Sequence, residues 1–131
     1  MKIIEDSIQI IKKQLLDIVA IYIFGSFSTA FETPSSDLDI AILSSKKLDS
    51  VFLWKLSQEI SYITKKDVDL VDFLNISTIF AFQIINEGKL VYCTNKIKYA
   101  FFENSIDSKY LELNQIRKYI IEEIKNRKRI Y

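Results

Sequence analysis

Two apolar runs joined by a short polar stretch constrain this chain more than any other feature. Ile18-Val-Ala-Ile-Tyr-Ile-Phe24 has no polar interruption, and Ile40-Ala-Ile-Leu43 has the same character. A run of this kind bounded by glycine is a buried strand. The segment between them, from Gly25 to Asp39, reads GSFSTAFETPSSDLD. Gly25 permits a sharp turn and a close backbone approach. Ser26 can cap a short helix, whose free N–H groups favour an anion such as phosphate. Asp37 and Asp39 alternate along the second strand, so both carboxylates lie on one face about 6.6 Å apart. Two acids on the core side of a strand are costly unless a cation compensates them. A Gly-Ser turn alone is common, and so is an Asp-x-Asp at a strand edge. Together, each abutting an apolar strand, they read as a phosphate cradle facing a site for Mg²⁺, which is the apparatus of phosphoryl or nucleotidyl transfer.

A third acid is available. Asp67-Val-Asp-Leu-Val-Asp-Phe73 reads as another strand. A period of two places Asp67, Asp69, Val71 and Phe73 on one face. Asp69, set between Val68 and Leu70, is the expected partner of Asp37 and Asp39. Asp67 is the alternative, although it follows Lys65-Lys66 and can simply pair with them. Asp72 points the other way and is expected to cap or solvate the strand end.

Composition narrows the chemistry. There is no histidine, which removes Ser-His-Asp and Cys-His catalysis and histidine-containing zinc sites. Cys93 is the single cysteine, so no intrachain disulfide forms, which fits a reducing cytoplasm. It reads as a buried small hydrophobe. Lysine and arginine number 18 against 17 acids, a net charge of +1, and this gives no basic footprint for gripping nucleic acid directly. The N-terminus lacks a signal-peptide core, and no apolar stretch is long enough to span a membrane.

The spacing G-S-x10-D-x-D, carried by Gly25-Ser26 and Asp37-Leu38-Asp39, resembles the signature of the nucleotidyltransferase superfamily that includes DNA polymerase beta and kanamycin nucleotidyltransferase. With its short length and flanking residues, the chain looks like the minimal nucleotidyltransferase (MNT) branch, and more narrowly the MntA-like antitoxins paired with HEPN toxins. The resemblance implies an α/β fold built on a mixed nucleotidyltransferase sheet. It implies ATP as donor and Mg²⁺, in a two-metal site, as cofactor. Asp37, Asp39 and Asp69 would be the metal-binding and catalytic acids, with Gly25 and Ser26 on the nucleotide phosphates. The partner would be a HEPN ribonuclease, modified on a tyrosine hydroxyl by one or more AMP groups. Two other functions are compatible with the residues: an antitoxin that acts only by binding, and a dimeric nucleotidyltransferase acting on small molecules.

The 131 residues read as one domain, with a core to about residue 93 and a helical segment over about 96–129. A helix over 2–17 presents Ile4, Ile8, Ile11 and Leu15. A second, capped by Asp49 or Ser50, presents Leu53, Leu56, Ile60 and Ile63, with Trp54 off that stripe. A third, capped by Asn75 or Ser77 and stopped at Gly88, carries Ile76, Phe80 and Ile84. Lys89 to Cys93 is a short strand. In the last helix Leu113, Ile116, Ile120 and Ile124 form an apolar edge, and Asn104-Ser-Ile-Asp-Ser108 is a point where it can break.

Overall fold

The computed structural model describes residues 2–25 and 37–129, the last three of these by their backbone alone. Its elements are α1 (Lys2–Gln14), β1 (Ile18–Phe24), β2 (Leu38–Ser44), α2 (Ser50–Thr64), β3 (Val68–Asp72), a 3-10 turn (Phe73–Asn75), α3 (Thr78–Glu87), β4 (Lys89–Cys93) and α4 (Lys96–Arg129). The four strands form one sheet in the order β3-β2-β1-β4. β1 pairs antiparallel with both β2 and β4, while β2 and β3 run parallel. The sheet is therefore mixed, as the family resemblance implied, with helices on both sides.

The uninterrupted apolar character of β1 and β2 follows from that sandwich. On one face Ile21, Ile23, Leu38, Ile40 and Ile42 pack with Ile11 of α1 and with Leu56 and Ile60 of α2. On the other, Ala20, Tyr22, Ala41 and Leu43 pack with Ala81 and Ile84 of α3 and Ile106 of α4. Each strand meets apolar neighbours above and below, so neither shows a polar alternation.

Local signals set the element ends. Asp49 caps α2 by accepting from Phe52 N–H at 3.1 Å, and Ser77 caps α3 by accepting from Phe80 N–H at 3.1 Å. α1 ends at Gln14, three residues before the expected 17. Leu15 still packs in the core, but the chain must leave the helix so that Ile18 can enter the sheet, and Asp17 C=O accepts from Ser45 N–H at 3.2 Å. Ile63, expected on the core stripe of α2, is 48% exposed, because its position turns away from the sheet beside the left-handed Lys65 cap. Gly88 stops α3 for a steric reason. Its backbone is extended, and a Cβ there would lie 2.6 Å from Ile84 O and 2.9 Å from Ile23 O.

Asp72 caps the strand end and is not solvated. It is 3% exposed and its carboxylate accepts from Leu48 N–H at 2.8 Å and Leu74 N–H at 3.0 Å. One buried acid thus ties the loop after β2 to the end of β3. Cys93 is an unpaired thiol, half-buried rather than buried.

α4 does not break near Asn104–Ser108. Ile106, inside that stretch, is 7% exposed and belongs to the core. Around it, the Tyr99 hydroxyl meets the Tyr22 hydroxyl, Phe102 sits edge-on to Phe73 and Tyr110 stacks on Phe82 at 3.6 Å. This burial overrides the weak helix propensity of the Asn, Ser and Asp residues. From Leu111 to Asn126 every residue is exposed, so the half of α4 that carries Leu113, Ile116, Ile120 and Ile124 projects beyond the sheet. The contrast sets an expected outcome for equilibrium urea unfolding. Ile106→Ala lowers stability by about 2–5 kcal/mol, whereas Ile120→Ala, at a position 50% exposed, changes it by less than about 0.5 kcal/mol.

Candidate active site

β1 ends at Phe24, opposite Asp39 in the antiparallel register, and Gly25 follows at once. Gly25 has φ +70°, a left-handed conformation that glycine alone adopts readily. Space imposes a second requirement. A Cβ on Gly25 would lie 3.3 Å from Asp39 Cγ and closer still to Asp39 Oδ2. The turn and the carboxylate are therefore in direct apposition, as the sequence spacing implied. Ser26, the other half of the turn, lies outside the described residues.

On the other side of Asp39, the parallel register pairs it with Asp69. Neighbouring strands lie about 4.8 Å apart and paired residues share a face, so the two carboxylates project side by side. Asp37 stands just before β2, two residues from Asp39 and on the same face by alternation. Asp67 takes a different role: its backbone C=O accepts from Leu38 N–H at 2.8 Å and helps hold β2 against the start of β3. The register thus selects Asp69 over Asp67 as the neighbour of Asp39.

Asp39 feels its surroundings. Burial pushes the Asp39 carboxyl above the usual carboxylate range, and the negative charges of Asp69 and then Asp37 push it the same way. Asp37 and Asp69 are exposed and Asp39 is half-buried, so the cluster opens to solvent at one end of the sheet. Among the described residues no three acids, cysteines or histidines form a ready-made cage for one ion. That is compatible with Mg²⁺, which takes one or two carboxylates and completes its shell with waters and substrate phosphates.

One feature of the site had no sequence expectation. A groove of about 160 Å³ runs beside Gly25 between Phe24, Phe80, Gln83, Ile84 and Glu87. Phe24 and Phe80 meet edge to face at 5.8 Å between ring centres. The helical period of α3 foretells its core residues, but which strand end those residues lie against follows from the topology.

Residues 5–97 match the family described as Polymerase beta, Nucleotidyltransferase. The chain belongs to this nucleotidyltransferase family. The Protein adenylyltransferase MntA of Shewanella oneidensis is 32% identical to the present nucleotidyltransferase over 117 residues, which is 89% of this chain and 84% of that protein. A crystal structure described as a toxin-antitoxin with AMP-PNP superposes with a TM-score of 0.81 at 31% identity, over 92% of this chain and 97% of that one. A structure of the tri-AMPylated Shewanella oneidensis HEPN toxin in complex with MNT antitoxin contains a chain that superposes with a TM-score of 0.75 at 30% identity, over 92% and 93%.

The electrostatics around Asp39 make a stability prediction. A carboxyl whose pKa is raised on folding binds protons more tightly in the folded state, so its contribution becomes unfavourable as pH rises through that range. Asp39→Asn therefore raises the melting temperature of the metal-free protein at neutral pH. The advantage shrinks as pH falls toward the Asp39 pKa, where the wild-type carboxyl is itself protonated. Differential scanning calorimetry with EDTA across this pH range checks both statements.

Proposed function

We propose that this chain is a Mg²⁺-dependent protein adenylyltransferase that moves AMP from ATP to a tyrosine hydroxyl of a partner HEPN toxin and so neutralises it, in the cytoplasm. The observation that carries the reading is the position of Asp39, with the Gly25 turn against it on one side and Asp69 beside it on the other. The relatives agree in substance: one is named a protein adenylyltransferase, another is held with the ATP analogue AMP-PNP, and a third accompanies an AMPylated HEPN toxin. The lone cysteine accords with a reducing compartment. Among the described residues no helix is long and apolar enough to cross a membrane.

Asp37, Asp39 and Asp69 are the residues that would hold the metal. Bound there with phosphate oxygens, Mg²⁺ would offset the mutual repulsion of the carboxylates and favour ionisation of the acceptor hydroxyl. Backbone N–H groups at Gly25 and Ser26, with the Ser26 hydroxyl, are assigned to the phosphate oxygens. The acceptor oxygen bonds to the α-phosphorus as the bond to the bridging oxygen breaks. Pyrophosphate leaves on the Gly25 side, and the phenolic proton passes to Asp69 or to water. The AMP left on the toxin adds bulk and negative charge, which opposes binding of an RNA backbone.

Intact-mass spectrometry of a HEPN partner protein, after incubation with this chain, ATP and Mg²⁺, is the direct test. Adenylate-sized additions on tyrosine are expected. Asp37→Ala and Asp39→Ala each reduce transfer by on the order of 10²-fold or more while the protein stays folded. An inhibited toxin without any addition would instead mean inhibition by binding alone. Gly25→Val is expected to reduce ATP affinity and transfer more than Ser26→Ala, since valine meets both the left-handed backbone and the Asp39 carboxylate. Side-by-side ATP titrations and transfer rates give the order.

A further inference from the structure

The antiparallel register sets Phe24 opposite Asp39, and paired residues share a face of the sheet. That face is the one covered by α3, whose Ala81 and Ile84 pack with Tyr22 and Ala41. The groove of about 160 Å³ beside Gly25 therefore opens on the side to which the Asp39 carboxylate projects. One wall is Phe24, and the other is α3, which contributes Phe80, Gln83, Ile84 and Glu87. These four stand at i, i+3, i+4 and i+7, so they form one helix face. Ile84 is 2% exposed and anchors that face in the core, which leaves Gln83 and Glu87 at the rim, both open to solvent. Phe24 holds the Phe80 ring edge to face, so an aromatic surface is fixed before any ligand arrives.

We infer that this groove is the adenine subsite of the nucleotide site, with Phe80 as the stacking surface and Gln83 and Glu87 as the residues that read the base. The inference rests on the adenylyltransferase reading and deepens it by naming what distinguishes ATP from other nucleoside triphosphates. The groove begins at Phe24 and Gly25, the two residues that adjoin Asp39, so a nucleotide whose α-phosphate lies at the acids can turn its base onto α3. Stacking on an aromatic ring supplies affinity for any base. Base identity comes from the rim. A glutamine carboxamide pairs with the N6 amino group and N7 of adenine through two hydrogen bonds. Gln83 alone can also serve guanine, by turning its amide round to donate to O6. An ionised Glu87 cannot do the same, because it only accepts. It favours the adenine amino group and repels guanine O6. A larger apolar groove, of about 520 Å³, lies between α3 and the projecting half of α4. It meets the first only at Gln83 and includes no strand residue, so it does not border the acids.

The experiment titrates the full chain with Mg²⁺-ATP, Mg²⁺-GTP and Mg²⁺-tripolyphosphate by calorimetry, without acceptor. The wild-type chain is expected to bind ATP more tightly than GTP by about tenfold or more. Phe80→Ala weakens ATP binding by about tenfold or more, the loss of one stacked base, and leaves tripolyphosphate binding unchanged. Gln83→Ala, at an exposed position where the fold is not at risk, weakens ATP binding in the same selective way. Glu87→Gln narrows the preference for ATP over GTP by about fivefold or more, chiefly by improving GTP. Ile120→Glu, in the larger groove, leaves all three affinities at the wild-type value. Equal wild-type affinity for ATP and GTP overturns the inference, as does wild-type ATP affinity in folded Phe80→Ala and Gln83→Ala. Equal losses of ATP and tripolyphosphate binding also overturn it, since these residues would then act on the phosphates. A wild-type chain that selects ATP through these residues but transfers no AMP to a HEPN partner overturns the underlying activity instead, so the two failures are distinct.

Discussion

The close approach of the Gly25 backbone to the Asp39 carboxylate is the contact on which the site depends. A strand that ends in a left-handed glycine can bring its backbone against an acid on the neighbouring strand, and no larger residue leaves the room. The same acid stands in register with Asp69 on its other side. Three candidate positions from three adjacent strands are thereby lined up across one end of the sheet. Burial and two negative neighbours leave Asp39 poorly stabilised as an anion. The site is built in a condition that a cation improves.

The rest of the molecule holds that line in place. α1 and α2 cover one face of the sheet, and α3 with the first half of α4 covers the other. The strands that carry the acids are thus fixed from both sides, while the ends that bear the acids stay open. Asp72 is the counterexample that clarifies the rule. An acid three residues from Asp69 is fully enclosed, yet two backbone N–H groups satisfy it and it serves structure. Neighbours, not residue type, separate the aspartate that ties the fold together from those left open at the end of the sheet.

Much of this was legible in the sequence for a physical reason. The apolar runs of β1 and β2 have a single compatible environment, and the shared face of Asp37 and Asp39 follows from the period of a strand, whereas the pairing of Asp69 rather than Asp67 with Asp39 needed the parallel register. Caps at Asp49 and Ser77 announce themselves chemically. What was not legible depended on contacts between distant segments. The continuity of α4 rests on Ile106 reaching the core, which outweighs a locally unfavourable sequence. The exposure of Ile63, and of the apolar edge from Leu113 to Ile124, follows from where the sheet stops. The groove beside Gly25 likewise exists only once α3 lies against the end of β1.

The parallel pairing of β2 with β3 has a kinetic side. Parallel strands cannot be joined by a tight turn, and here α2 must cross over before Asp69 can lie beside Asp39. The acids that define the site are separated by thirty residues of chain, and bringing them together costs loop entropy in addition to carboxylate repulsion. A partly folded chain, with β1 and β2 paired but the crossover open, contains the whole G-S-x10-D-x-D stretch and still lacks its third acid. On the proposed assignment, the site is complete only once the crossover has closed. A ligand that brings a cation to these acids would then stabilise the closed crossover, so nucleotide supply and the lifetime of the folded chain would be coupled through one strand pair.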